Sequence, residues 1–267
     1  MGDIGMKETL AAFSPDLFAG KHVIVSGATS GIGLDIARGF AALGGEVTAT
    51  GSSAQKIAGL TDEGPGIRFE LLDVRDRAAV KEFCARQTRC DTLINGAGVA
   101  RGGEEWDEDV WLDTMEVNLN SQFRLAIGLR ERLAQSRGSI INVASMLSFM
   151  ADPGVPAYTA SKTGVLGLTR ALAHKWGRDG VRVNAVAPGY HKTDMTKPIW
   201  SVPFGNKAVS DRTALGRWGS TVDLVGPCLF LASPAAAYVT GMCLEVDGGY
   251  ASGNPLADFY TNAAVPG

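Results

Sequence analysis

Tyr158 and Lys162 stand four residues apart in Tyr158-Thr159-Ala160-Ser161-Lys162. On a helix that spacing puts both side chains on one face, so a phenol and an ammonium can serve one site. An unperturbed tyrosine titrates at pH ~10, too basic for easy proton exchange at neutral pH. A neighbouring ammonium favours the phenolate and is expected to lower that value. Tyr158 would then exchange a proton with a hydroxyl or carbonyl oxygen. Alone, the pair reads equally as an exposed helix pair, in a chain with five tyrosines. Its surroundings give it weight. Ser145 lies upstream in Ile141-Asn142-Val143-Ala144-Ser145. Following a strand, its hydroxyl can face the same crevice and hydrogen-bond a carbonyl, or it can cap a helix. Asn118, in Val117-Asn118-Leu119-Asn120, falls inside a helical pattern with apolar neighbours. An amide there can bond the backbone, kink the helix and hold a water; a surface polar position is the alternative.

A second set of residues suits a dinucleotide. Ser26-Gly27-Ala28-Thr29-Ser30-Gly31-Ile32-Gly33 runs from a strand straight into a helix. Its glycines permit a tight turn and close backbone approach, and the helix N-terminus offers unpaired N–H groups to a pyrophosphate. The spacing is G-x-x-x-G-x-G rather than G-x-G-x-x-G, and a ligand-free strand-to-helix turn is the bland reading. Asn95-Gly96-Ala97-Gly98 follows the fourth strand. Ala97 and Gly98 keep space for adenosine and ribose, while Asn95 either borders that space or ties neighbouring loops together. Asp73, with Val74 after the third strand, can meet an adenine amino group or cap the helix that follows. At the end of the second strand, Thr50-Gly51-Ser52-Ser53-Ala54-Gln55-Lys56 has neither an acid for a ribose 2′-hydroxyl nor an arginine for a 2′-phosphate. Hydroxyls of Ser52 and Ser53, with Lys56, favour NADP and leave NAD or dual use open. After the sixth strand, Pro188 and Gly189 turn the chain, and Thr193 is placed to orient a nicotinamide carboxamide or simply to complete the turn.

These residues need a frame that brings strand ends together. Apolar, β-rich runs occur at His22–Ser26, Glu46–Thr50, Ile67–Leu72, Asp91–Ile94, Ser139–Val143, Val181–Val186 and Met242–Val246. Helical patterns lie between them at Gly33–Leu43, Arg77–Arg86, Val110–Leu133, Ala157–Trp176 and Val222–Leu231. The first, fourth and fifth strands are continuously apolar, as strands covered on both faces are. The expected fold is therefore α/β: a Rossmann-type doubly wound parallel sheet of about seven strands flanked by helices, in a single domain spanning 1–267. Such sheets bind ligands beyond the carboxyl ends of their strands.

Bulk properties narrow the partners. The 267 residues are 45% hydrophobic and 20% charged, with net charge −3. There is no basic excess for nucleic acid and no apolar run of the ~18–20 residues a membrane helix needs. The amino-terminal stretch carries Asp3, Lys7, Glu8 and Asp16 and has no apolar signal core, and the four cysteines form no CxxC pair. A cytoplasmic location is expected. Three scattered histidines offer no metal cluster.

In order along the chain, SGATSGIG (26–33), NGAG (95–98), VNL (117–119), Ser145, Tyr158 with Lys162, PG with Thr193, and VDGGY (246–250) resemble the short-chain dehydrogenase/reductase family. The resemblance implies an active site of Asn118, Ser145, Tyr158 and Lys162, a nicotinamide cofactor (NADP or NAD), and a homotetramer. Ser26 stands where threonine is usual, and Gly96 replaces the second asparagine of NNAG. A narrower likeness, through 144–149, 155–162, APGY (187–190) and GRWG (216–219), is to the sugar-acid members such as gluconate 5-dehydrogenase and 2-dehydro-3-deoxy-D-gluconate 5-dehydrogenase. The implied reaction moves a hydride between nicotinamide and a secondary alcohol or ketone of a sugar acid, sugar or polyol. A 3-oxoacyl or simple-ketone reductase is the second reading, and a catalytically silent nucleotide-binding scaffold the third. Residues 190–213 are expected to form a lid, with His191 or Lys192 meeting substrate and Trp200, Phe204 and Met150 lining a pocket. The tail at 254–267 is expected to pack across a subunit interface or a neighbouring pocket.

Overall fold

The computed structural model describes residues 5–60 and 66–253; the tail at 254–267 lies outside them. The strands are β1 (His22–Ser26), β2 (Glu46–Gly51), β3 (Ile67–Leu71), β4 (Thr92–Asn95), β5 (Ser139–Val143), β6 (Arg182–Pro188) and β7 (Cys243–Val246). The helices are α1 (Met6–Leu10), α2 (Gly31–Ala42), α3 (Ala54–Ala58), α4 (Arg77–Arg86), α5 (Glu108–Met115), α6 (Ser121–Ser136), α7 (Pro156–Trp176), α8 (Lys197–Trp200), α9 (Pro203–Arg212) and α10 (Val225–Ala232). The seven strands form one sheet in the order β3-β2-β1-β4-β5-β6-β7, every pair parallel.

Continuous apolar runs become strands buried on both faces. Val25 and Ile141 point into a core with Ile36 and Phe40 of α2 and Leu229 of α10. Their neighbours Ile24 and Ile140 point into the opposite core with Phe83 of α4, Leu129 of α6 and Trp176 of α7. Because side chains alternate along a strand, helices must cover both faces. The register aligns Ser26 with Asn95 and Asn95 with Asn142, so β1, β4 and β5 end together. Strand order reverses between β1 and β4, which opens a crevice at their carboxyl ends.

Two helical expectations change. The pattern at Val110–Leu133 is three elements: α5, a π-helical turn over Glu116–Asn120, and α6. The interruption has a tertiary cause: Asn118 turns its side chain away to bond a neighbouring loop. Val222–Leu231 opens with a 3₁₀ turn at Thr221–Leu224 before α10. Among the described residues, no helix is long and apolar enough to cross a membrane.

Candidate active site

A cleft of about 470 Å³ opens beyond the ends of β1, β4, β5 and β6. Its first wall is the β1–α2 turn. Gly27 has φ +70°, and a Cβ there would fall 2.6 Å from the Ala97 Cα. A Cβ on Gly33 would lie 2.3 Å from the Gly27 carbonyl oxygen. Only glycine lets α2 start this close to the strand. Ser30 forms no side-chain cap, so the first amides of α2 remain available to an anion in the cleft. Thr29, Ser30, Gly31, Ile32 and Gly33 all line it, as do Ser52, Asp73, Val74, Ala97, Gly98, Pro188, Gly189 and Thr193. A narrow glycine cradle under an uncapped helix fits a dinucleotide diphosphate.

Three residues expected at the cofactor or reaction site do not line the cleft. Ser53 instead caps α3, its hydroxyl accepting from the Lys56 N–H at 3.2 Å. Asn95 is buried behind the site, where Nδ2 donates to the Asn142 Oδ1 at 2.9 Å and Asn142 donates on to Thr169. It braces the sheet. Asn118 is buried in the π turn; Nδ2 donates to the Val99 carbonyl (2.9 Å) and Oδ1 accepts the Val99 N–H (2.8 Å). A third bond runs from Nδ2 to the Ser161 Oγ, 3.1 Å. The amide thus pairs like a strand neighbour with the β4–α5 loop and ties it to α7. Asp73 lines the cleft but does not cap α4. That cap is Asp76, which accepts from the amides of Ala78 and Ala79, while Asp73 pairs with Arg75 at 2.6 Å, holding its carboxyl below the usual range.

The reacting end gathers Ser145, Tyr158 and Lys162. Ser145 begins a 3₁₀ turn and caps it by accepting from the Leu147 N–H. The Ser148 hydroxyl in that turn donates to the Lys162 carbonyl at 2.7 Å, which bolts the strand end to α7. The Ser145 hydroxyl stands beside the Tyr158 phenol in the same end of the cleft. Lys162 is 2% exposed; its Nζ donates to the Val143 carbonyl at 2.7 Å and stands 5.6 Å from the centre of the Tyr158 ring. The expected acidification of the phenol is not what this arrangement gives. Burial holds Tyr158 above its ordinary pKa, the Ser145 hydroxyl opposing and the Glu105 charge reinforcing that rise. Burial also pushes Lys162 down to about 8.

The segment after β6 differs from the expected lid lining. His191 does line the cleft, but its ring lies flat on Gly219, where a Cβ would be 2.4 Å away, and its Nδ1 meets the Gly189 carbonyl at 3.1 Å. Burial lowers its pKa. Lys192, Met150, Trp200 and Phe204 do not line the cleft; the Trp200 indole donates to the Thr193 carbonyl, and Phe204 is 85% exposed. Asp194, Met195 and Thr196 line it instead.

Sequence reasoning missed Arg101 and Glu105. Arg101 lines the cleft, its guanidinium held by Asp113 at 2.5 Å and Thr114 at 3.2 Å. Its position just after the NGAG turn was the available signal. Glu105 is fully buried beneath it, and nothing in Gly102-Gly103-Glu104-Glu105-Trp106 distinguishes it from a solvated acid.

A family model described as enoyl-(acyl carrier protein) reductase matches residues 27–251. The gluconate 5-dehydrogenase of Gluconobacter oxydans (strain 621H) is 38% identical over 248 residues, covering 88% of this chain and 97% of that protein. The 2-dehydro-3-deoxy-D-gluconate 5-dehydrogenase of Bacillus subtilis (strain 168) is 40% identical over 242 residues, 87% of this chain and 95% of that one. Among solved structures, a gluconate 5-dehydrogenase from Burkholderia cenocepacia J2315 in complex with NADP and tartrate superposes with a TM-score of 0.83 at 34% identity, covering 91% of this chain and 99% of that one. With a seven-stranded parallel sheet, a glycine cradle at its switch point and likeness along nearly its whole length, the chain belongs to the short-chain dehydrogenase/reductase family and is an NAD(P)-dependent oxidoreductase acting on CH–OH groups.

Proposed function

We propose that this enzyme interconverts a secondary hydroxyl and a ketone on a sugar acid, with NADP as the preferred cofactor, and that Ser145, Tyr158 and Lys162 carry the proton chemistry. The single observation behind the proposal is the clustering of these three side chains at one end of a cleft whose other end is a diphosphate cradle. The gluconate and deoxygluconate dehydrogenases among its relatives support the substrate class. Arg101 supports it too: its planar guanidinium lines the cleft, and with Asp113 and Thr114 occupying part of its fork, remaining donors suit a carboxylate. Ser52 lines the cofactor end, and Lys56 reaches the Ser30 hydroxyl at 3.4 Å, a hydroxyl and ammonium suited to a 2′-phosphate.

The cradle residues Gly27, Thr29, Gly31, Ile32 and Gly33 hold the diphosphate, Asp73 and Val74 flank the adenine, and Thr193 orients the nicotinamide. Bound there, the nicotinamide supplies the hydride acceptor for oxidation or the donor for reduction. Ser145 and Tyr158 stand side by side at the cleft and receive the reacting oxygen between them. In oxidation the Tyr158 oxygen takes the hydroxyl proton; in reduction it gives the proton to the carbonyl oxygen. Lys162 stabilises the phenolate as it forms. Asn118 holds the β4–α5 loop against α7 and keeps space for a water through which the proton reaches solvent. The segment 190–213 closes over the substrate, and the chain works as a cytoplasmic homotetramer.

The test is an absorbance assay with NADP(H) and NAD(H) over sugar acids, polyols, simple ketones and 3-oxoacyl substrates. Sugar acids with NADP are expected to give the highest kcat/KM, and Tyr158→Phe to lower it about 10²–10⁴-fold, the scale of a lost general acid/base. Turnover confined to acyl or simple-ketone substrates would overturn the substrate class. An unimpaired Tyr158→Phe enzyme would overturn the mechanism.

A further inference from the structure

The helix that carries Tyr158 has no local cap. Val155 precedes α7 and forms no side-chain bond to it. The missing acceptor comes from Glu105, whose Oε2 accepts the Tyr158 N–H at 2.8 Å. Its Oε1 accepts the Arg101 N–H at 2.9 Å. The side chain is 0% exposed, and among the described residues no cation forms a salt bridge with it. One of the donors is a first-turn amide of the 21-residue α7. Both oxygens are thus engaged as acceptors, one of them at the positive end of the helix that carries Tyr158.

We propose that Glu105 is a positioning residue for proton transfer: it bolts the first turn of α7 to the loop that presents Arg101, and its carboxylate acts on the reacting Tyr158 by charge as well as by position. The proposal rests on Tyr158 being the acid/base. The loop is closed on its other side as well, since Gly103 donates to the Gly154 carbonyl at 2.8 Å and the Trp106 indole to the Pro153 carbonyl at 3.0 Å. Glu105 therefore sits inside a clasp joining the substrate wall to the reacting residue. The ionisable groups that line the cleft with Tyr158 are Lys162 on α7, Arg101 with its partner Asp113, Asp73 and Arg75 after β3, and Asp194 and His191 beyond β6. Lys162 and Arg101 favour the phenolate; Glu105 opposes them, and its charge raises the proton affinity of Tyr158. A protonated phenol is the form that donates to a ketone. The carboxylate thus keeps the enzyme ready for reduction over a wider pH range and disfavours oxidation near neutrality.

The experiment is a spectrophotometric titration of phenolate absorbance in the parent, Glu105→Gln and Glu105→Asp, each compared with its own Tyr158→Phe version to isolate Tyr158. It needs no substrate, so it stands whether or not the sugar-acid assignment does. pH profiles of kcat with the best substrate run alongside. In Glu105→Gln, Tyr158 is expected to ionise about one pH unit lower, the scale of losing one nearby charge in a partly buried site, and the oxidation profile to move with it. In Glu105→Asp the charge persists but retreats by one methylene, and a smaller downward displacement is expected. An unmoved Tyr158 titration in Glu105→Gln, even with a large fall in kcat, would reduce Glu105 to a brace and overturn the proposal. Should Glu105→Gln fail to fold, an unmoved titration in Glu105→Asp overturns it instead.

Discussion

Burying an ammonium with a single carbonyl for company is a costly way to fold a chain. Lys162 is 2% exposed, and among the described residues its ammonium makes one hydrogen bond, to the Val143 carbonyl; burial brings its pKa to about 8 from 10.5. The unfolded chain therefore binds more protons between those values, so stability rises with pH across that window; below about 8 the folded state carries the full penalty. That penalty is about 3 kcal/mol, offset by about 1.5 kcal/mol or more from the hydrogen bond of a charged donor. Lys162→Met is accordingly expected to be more stable than the parent by about 1 kcal/mol at pH 7, and to lose that advantage by pH ~10 while remaining inactive. Denaturant midpoints of the two proteins at both pH values measure it. Equal stability at neutral pH would mean that the ammonium is better satisfied than its one bond implies. A residue of this kind is legible in the sequence, because Tyr158 and Lys162 share one helix face by spacing alone. Glu105 is not legible there. Its meaning lies in accepting from an amide 53 residues away, and no local pattern encodes that.

The same divide runs through the elements. β1 and β5 are readable residue for residue, because a strand covered on both faces has little but apolar side chains to offer. The helix expected over Val110–Leu133 fails at one place, where Asn118 finds both an N–H and a carbonyl on Val99. A tertiary partner overrides local propensity there, and the π turn accommodates it. The β1–α2 junction shows the reverse, a local pattern whose purpose is wholly geometric. Alanine is a better helix former than glycine by about 1 kcal/mol, so Gly33→Ala would stabilise α2 in isolation. In the fold its Cβ would meet the Gly27 carbonyl at 2.3 Å, and that backbone cannot rotate aside. Gly33→Ala is expected to lower stability by about 1–2 kcal/mol net and to raise the KM for NADP about tenfold, by widening the turn that holds the diphosphate. Calorimetry and cofactor titration check the two effects separately. A stabilised variant with unchanged KM would show that the turn relaxes without loss.

At the scale of the whole molecule, the exposed apolar surface is unevenly distributed. α6 turns Phe123 and Ile127, one helical turn apart, to the same side, each 49% exposed, and α5 leaves Leu112 56% exposed. These two helices flank the π turn that holds Asn118, and α7, which carries Tyr158 and Lys162, packs against α5. A tetramer built on this face would brace the helices behind the site. In a two-fold interface each side chain is buried twice, once from either subunit. Roughly 100 Å² per side chain at ~25 cal/mol per Å² is about 2 kcal/mol, so Phe123 and Ile127 together contribute roughly 8–10 kcal/mol per axis before association costs. Aspartates at both positions remove that term and set like charges across the axis. If the parent is the proposed tetramer, the double variant Phe123→Asp with Ile127→Asp is expected to scatter light as a smaller assembly, dimer or monomer, and to lose activity on dilution more steeply than the parent. A parent that is already monomeric at assay concentration would overturn the assembly itself. A double variant that stays tetrameric would leave the tetramer standing and move its interface to another face, where α6 contributes nothing.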